Sequence, residues 1–209
     1  MNNISRDDLN GMRGPFHMRT VSGVDIDIRR PSPDQINLDD IATGLSNLCR
    51  YAGQVRRFYS VAQHSIICAE VMLAELERDG RPLAERRSWT QGAFLHDAAE
   101  AYLVDLTSQT KRALREAGST AFDALELGFW HAIQKRFDLS LGADWHLRMK
   151  RIDRAVAARE QMVLRAPYWN GEYVPSVEPA DVEIRALSFS DARDAFNQYA
   201  WTIGLVPRG

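Results

Sequence analysis

The chain has 209 residues, 45% of them hydrophobic and 26% charged, enough apolar material for one domain with a substantial core and too much for a disordered chain. Its 26 basic and 28 acidic residues leave a formal net charge of −2, which gives no electrostatic reason to expect nucleic acid or an anionic membrane surface as a partner. No apolar run approaches the ~20 residues of a membrane span, and the opening Met1-Asn2-Asn3-Ile4-Ser5-Arg6 lacks the basic-then-apolar order of a signal peptide, so a cytoplasmic location is expected.

Residues 1–15 read as a polar, loose start. From Met18 to Ile28 apolar and polar residues alternate around Ser22-Gly23, the pattern of a small β-hairpin with Val24, Ile26 and Ile28 on one face. Pro31 and Pro33 end it. From Asp39 the period becomes helical through Ile41, Leu45 and Leu48, with Gly53 suited to the stop. Ser60-Val61-Ala62-Gln63 is a capping-box signal for a helix running to about Asp79, and Ser88-Trp89-Thr90-Gln91 repeats it to open a helix through His96 and Asp97. A loop or short helix covers Asp105 to Ala117. Ser119 or Thr120 starts a helix through Phe137 with Phe122, Leu125, Phe129 and Ile133 as its stripe. Asp144 starts a long helix carrying Met149, Ile152, Val156 and Val163 and stopping near Pro167. Tyr168 to Asp181 reads as irregular, and a last helix spans Ser188 to Ile203. The pattern predicts a mostly α chain: residues 1–35 carry the hairpin packed on the main domain, residues 36–209 form that domain. Cys49 and Cys68, the two cysteines, fall in helical apolar patterns and are read as buried thiols rather than a disulfide.

One stretch stands out chemically. His96, Asp97 and Glu100 lie among Ala93, Phe94, Leu95, Ala98, Ala99 and Ala101, and burying three ionisable groups there is costly unless something pairs with them. His64 and Asp153 stand on separate predicted helices and can converge on the same point if the bundle folds around it. Mixed imidazole and carboxylate donors suit one divalent ion, Mn, Co, Zn, Ni, Fe or Mg. The plainer alternatives are a core histidine, a glutamate in a helix salt bridge, and, for Arg50, a cation at a helix C-terminus.

The order His64…His96-Asp97…Asp153 resembles the HD-domain metal-dependent phosphohydrolase superfamily. The likeness extends to the small bacterial 5′-deoxynucleotidase subgroup and its phage triphosphohydrolase relatives through Cys49-Arg50-Tyr51, Ser60-Val61-Ala62-Gln63-His64, His96-Asp97-Ala98-Ala99-Glu100, Asp105-Leu106 with Lys111, and Ile152-Asp153. It covers residues 38–165 and implies a single HD-type helical bundle with His64, His96, Asp97 and Asp153 as metal ligands. It also implies Glu100 as proton carrier, Arg50 as phosphate clamp, and Tyr51 packing against the nucleoside. Asp105 would receive a sugar hydroxyl, with Leu106, Thr107, Ser108 and Lys111 lining the same wall. Thr107 and Gln109 stand where relatives tend to carry prolines. Arg56 and Arg57 are expected in a solvated turn, and His131 and His146 outside the site, so one metal is expected. The implied reaction is hydrolysis of the 5′-phosphoester of a deoxyribonucleotide, a monophosphate first. The alternatives are release of triphosphate from a deoxynucleoside triphosphate, a non-catalytic nucleotide sensor, and cyclic-nucleotide or alarmone hydrolysis. A homodimer is expected by the same analogy.

Overall fold

The structure, a computed structural model, describes residues 16–165 and 173–205. The expected loose start at 1–15, the stop at Pro167 and the first part of the irregular stretch, residues 168–172, lie outside the described residues. Strands β1 (His17–Arg19) and β2 (Asp25–Asp27) form an antiparallel hairpin. Eight helices follow among the described residues: α1 (Leu38–Asn47), α2 (Val61–Arg78), α3 (Leu83–Phe94), α4 (Glu100–Leu103), α5 (Ser108–Glu116), α6 (Ala121–Phe137), α7 (Trp145–Leu164) and α8 (Phe189–Thr202). The fold is mostly α, with the small hairpin before it. No helix among the described residues is long and apolar enough to cross a membrane.

Helix α2 is the hub, packing on α1, α3, α7 and α8. Its start follows from local chemistry: the Ser60 hydroxyl accepts from the Gln63 amide and Gln63 returns to the Ser60 amide, so two of the helix's orphan donors are satisfied. One continuous core joins Ile41, Leu45, Met72, Phe94, Phe129 and Phe196. Ile26 of the hairpin is fully buried in the same core. The Ser22 amide and hydroxyl both donate to the Asp40 carboxylate, at 2.9 and 2.7 Å, pinning the hairpin's turn to α1.

Four boundaries differ from the sequence pattern, each for a local reason. Helix α1 ends at Asn47 rather than near Gly53, because the chain turns extended: Cys49 bridges Ser60, and the Val61 amide donates to the Leu48 carbonyl at 3.1 Å. Arg50 is therefore not a helix C-terminal cation. Helix α3 begins at Leu83, with Pro82 before it, and Ser88 lies inside it. The Ser88 hydroxyl donates to the Ser140 carbonyl (2.7 Å) and accepts from the Ser140 amide (2.9 Å), tying down the α6–α7 connection instead of capping a helix. The same helix stops at Phe94, so His96 and Asp97 sit in a turn; the Leu95 amide is shared between the Gln91 and Gly92 carbonyls, a tightened last turn. Val163 is 38% exposed; the buried stripe of α7 runs instead through Met149, Ile152, Val156, Glu160 and Leu164.

Candidate metal centre

His64, in the first turn of α2, is fully buried. Its Nδ1 is 2.8 Å from Oε1 of Glu160, a carboxylate that can only accept while ionised, so Nδ1 carries the hydrogen and Nε2 is left to face the opposite side. There it meets Asp153 Oδ1 at 3.1 Å and Asp97 Oδ2 at 3.7 Å. His96 repeats the arrangement: Nδ1 donates to the Ala93 carbonyl at 2.8 Å, and its buried Nε2 makes no hydrogen bond, with Asp97 Oδ2 at 3.2 Å. Cys68, one turn beyond His64, places Sγ 3.4 Å from His64 Nε2. Donor atoms of His64, Cys68 and His96 lie within 4.8 Å of one another, a group able to hold a metal ion.

Two imidazole nitrogens with their lone pairs turned toward carboxylates repel them unless a cation stands between. Ligands bonded to one ion at about 2.0–2.3 Å stand roughly 3.0–3.7 Å apart, and the separations among His64, His96, Asp97 and Asp153 given above fall on that scale. The donor set fits a divalent ion. Burial and the Arg50 charge oppose protonation of His64, but Cys68, Glu160 and Asp153 outweigh them and hold its pKa well above the usual imidazole value. Burial likewise opposes ionisation of Asp97 and Asp153; the flanking imidazoles prevail and hold both below the usual carboxylate range. Positive charge is favoured at this point.

Glu160 is the residue the sequence pattern left out. Fully buried on α7, it accepts from His64 Nδ1, from Arg50 Nε at 3.0 Å and from the Tyr51 hydroxyl at 2.7 Å. Burial pushes its pKa up, but Arg50 and His64 bring it down to about 2. Its signal was present: a glutamate four residues after Val156 and four before Leu164, on the apolar stripe itself. Arg50, held by Glu160, turns NH1 to within 3.8 Å of Asp97 Oδ2. Tyr51 stands under the Arg50 guanidinium, 5.3 Å from its ring centroid, with its hydroxyl committed to Glu160. Its left-handed φ of 59°, shared by Ala52 at 52°, is a strained backbone that turns the chain back at this point.

Glu100 opens α4 and is buried; its Oε2 has no hydrogen-bond partner, and its nearest cation is Lys111 Nζ at 3.7 Å. Burial, with Asp97 and Asp105 nearby, raises its pKa well above an ordinary glutamate's. It does not continue the helix of His96; the 95–99 turn separates them. Asp105 is half-buried, and burial raises its pKa too. The residue before it, Val104, has φ 112°, an outlier for a β-branched side chain. Lys111 is closer to Glu126, at 2.7 Å, than to Glu100. Leu106 is half-buried beside it. Thr107 caps α5 by accepting from the Thr110 amide, and Ser108 is exposed. His131 and His146 are exposed, away from this cluster. A cleft of about 260 Å³ opens onto the centre between His96, Asp97, Glu100, Glu126, Leu127 and Trp130. A larger groove of about 1000 Å³, between α2, α7 and residues 177–182, contains none of these donors.

No family model matches the chain. Over 97 residues it is 36% identical to the uncharacterized protein YfdR of Escherichia coli K12, covering 46% of this chain and 47% of the relative. Over 98 residues it is 37% identical to an uncharacterized protein of Rhodobacter capsulatus, with the same shares covered. The chain thus spans about half the length of the curated relatives it matches.

Proposed function

We propose that the chain is a divalent-metal-dependent phosphohydrolase of the HD type, cleaving the 5′-phosphoester of deoxyribonucleoside monophosphates to nucleoside and phosphate. The observation that carries this reading is the convergence of His64, His96, Asp97 and Asp153 from α2, the α3–α4 turn and α7, with both free imidazole nitrogens turned inward. A bound divalent ion would neutralise phosphate charge and acidify a water.

The chain's own residues supply the rest. Glu160 fixes the tautomer of His64 and aims Arg50 at the edge of the centre, where its guanidinium can take two phosphate oxygens in parallel hydrogen bonds. Glu100, kept protonated by burial and by neighbouring carboxylates, is the group suited to give a proton to the departing 5′-oxygen. Tyr51 holds Arg50 through Glu160 rather than stacking on the nucleoside, and the cleft beside Trp130 and Leu127 is where the nucleoside would lie. Arg50 and Lys111 already engage carboxylates, so they offer little spare positive charge to two further phosphates; this supports a monophosphate.

Purified protein incubated with Mn²⁺ or Co²⁺ and a panel of deoxynucleoside mono- and triphosphates is the test. Inorganic phosphate released from monophosphates, and lost in Arg50→Ala, is the expected result. Intact triphosphate released from a triphosphate overturns the monophosphate reading, and no turnover of any phosphoester with any divalent ion overturns the enzyme.

A further inference from the structure

We propose that Cys68 is a sulfur donor to the metal at this centre, which makes the site selective for thiophilic ions such as Zn²⁺ and Co²⁺ over Mn²⁺ and Mg²⁺. The inference rests on the metal-centre reading above and adds to it a ligand type that the four nitrogen and oxygen donors do not contain.

Helical geometry puts residue 68 directly above residue 64 on α2. Cys68 Sγ is nearer to His64 Nε2 (3.4 Å) than to Nδ1 (3.9 Å), so the sulfur lies on the side of the ring that faces Asp97 and Asp153, not the side held by Glu160. Bonds of about 2.0–2.1 Å to imidazole nitrogen and about 2.3 Å to sulfur place the two donor atoms roughly 3.5 Å apart around a shared tetrahedral ion, close to the separation found. A second observation comes from outside α2. The His96 side chain is only 10% exposed, and its Nε2 is buried without a hydrogen bond; it points to the same spot, its donor atom within 4.8 Å of both the others. Three buried donors from two segments thus share one point, and the sulfur is fully enclosed with them.

Ligation is a simple exchange. The thiol S–H bond breaks, its proton leaves to solvent, and the thiolate pair bonds to the ion; no oxidant or reductant takes part. Thiolate favours Zn²⁺ and Co²⁺, while oxygen-seeking Mn²⁺ and Mg²⁺ gain little from it. Removing even an outer-sphere partner commonly lowers metal affinity about 10–100-fold, so losing the sulfur itself should lower Zn²⁺ affinity by about tenfold or more and Mn²⁺ affinity far less.

The test is optical and needs no turnover. Chelator-stripped full-length protein is titrated with Co²⁺, following the visible d–d bands that report binding and the near-ultraviolet sulfur-to-cobalt charge-transfer band that reports a thiolate ligand. Both bands are expected in the native chain and in Cys49→Ala. Cys68→Ser and Cys68→Ala, checked for native circular dichroism, should keep the d–d bands and lose the charge-transfer band. Binding without charge transfer in the native chain, or a band that survives Cys68→Ala, overturns the sulfur ligand and leaves the metal centre standing. Absence of d–d bands and of saturable Co²⁺ binding in the native chain overturns the metal centre itself.

Discussion

At the scale of single residues, the most constrained group is Glu160, a buried carboxylate satisfied by three donors from three parts of the chain. Replacing it by glutamine keeps the volume but turns one acceptor into an NH₂ group, which cannot serve donors on both sides. Glu160→Gln should therefore lower phosphohydrolase turnover about 10–100-fold with native circular dichroism retained; unchanged turnover would remove its orienting role. A pH signature follows from its charge. An ordinary glutamate titrates near 4.5 and Glu160 near 2, so the stability it contributes as a carboxylate is complete above about 4.5 and lost as the pH falls through about 2, on the order of 3 kcal/mol in all. In metal-free protein, the unfolding free-energy gap between the native chain and Glu160→Gln should shrink across that window, and a gap that stays constant contradicts the ion-pair account. His96, Asp97 and Glu100 were legible in the sequence because charged residues broke an otherwise apolar run. Glu160 broke the stripe of α7 in the same way, yet with a single residue among many surface charges on that helix. Cys68 gave no such signal, since a thiol in an apolar pattern is ordinary core.

Among elements, the closest approach in the site's support is between α1 and α4. A Cβ on Gly44 would lie 2.7 Å from Ala101 Cβ and 2.9 Å from its Cα and carbonyl oxygen, so backbone rather than a flexible side-chain end would have to move. Gly44→Ala should destabilise by about 1–3 kcal/mol, a Tm loss of roughly 2–10 °C for a chain of this size. Because α4 begins at Glu100, turnover should fall as well; native Tm and turnover together would show that the two helices can separate freely. Element boundaries show why sequence signals divide into readable and unreadable ones. Ser60 and Ser88 carry the same capping-box spacing, and only Ser60 caps. What decided it was tertiary: Ser88 finds both a donor and an acceptor in Ser140, 52 residues away, information that no local window contains. The α3–α4 break at His96-Asp97 is equally silent, since alanine-rich sequence favours continuing the helix.

For the whole molecule, the helical character was plain from periodicity because long amphipathic segments carry strong signals. Where those segments meet was not, and the centre is built from their meeting. His64, His96-Asp97 and Asp153 span some ninety positions of sequence, so an ion held by them would join α2, the α3–α4 turn and α7 in the native state and nothing comparable in the unfolded chain. Such a ligand stabilises in proportion to the logarithm of its concentration, about 2.7 kcal/mol at 100 times its Kd. For a chain of this length that is a rise in Tm of roughly 5–11 °C, readable by calorimetry with Co²⁺ or Zn²⁺ added to chelator-stripped protein. Asp153 is the informative control because its side chain is 42% exposed, so Asp153→Asn disturbs packing little while weakening one donor. Its metal-free Tm should match that of the native chain, and its metal-induced rise should be largely abolished. An equal rise in the two proteins would place the ion elsewhere, and no rise in the native chain would mean that these three segments are held together without one.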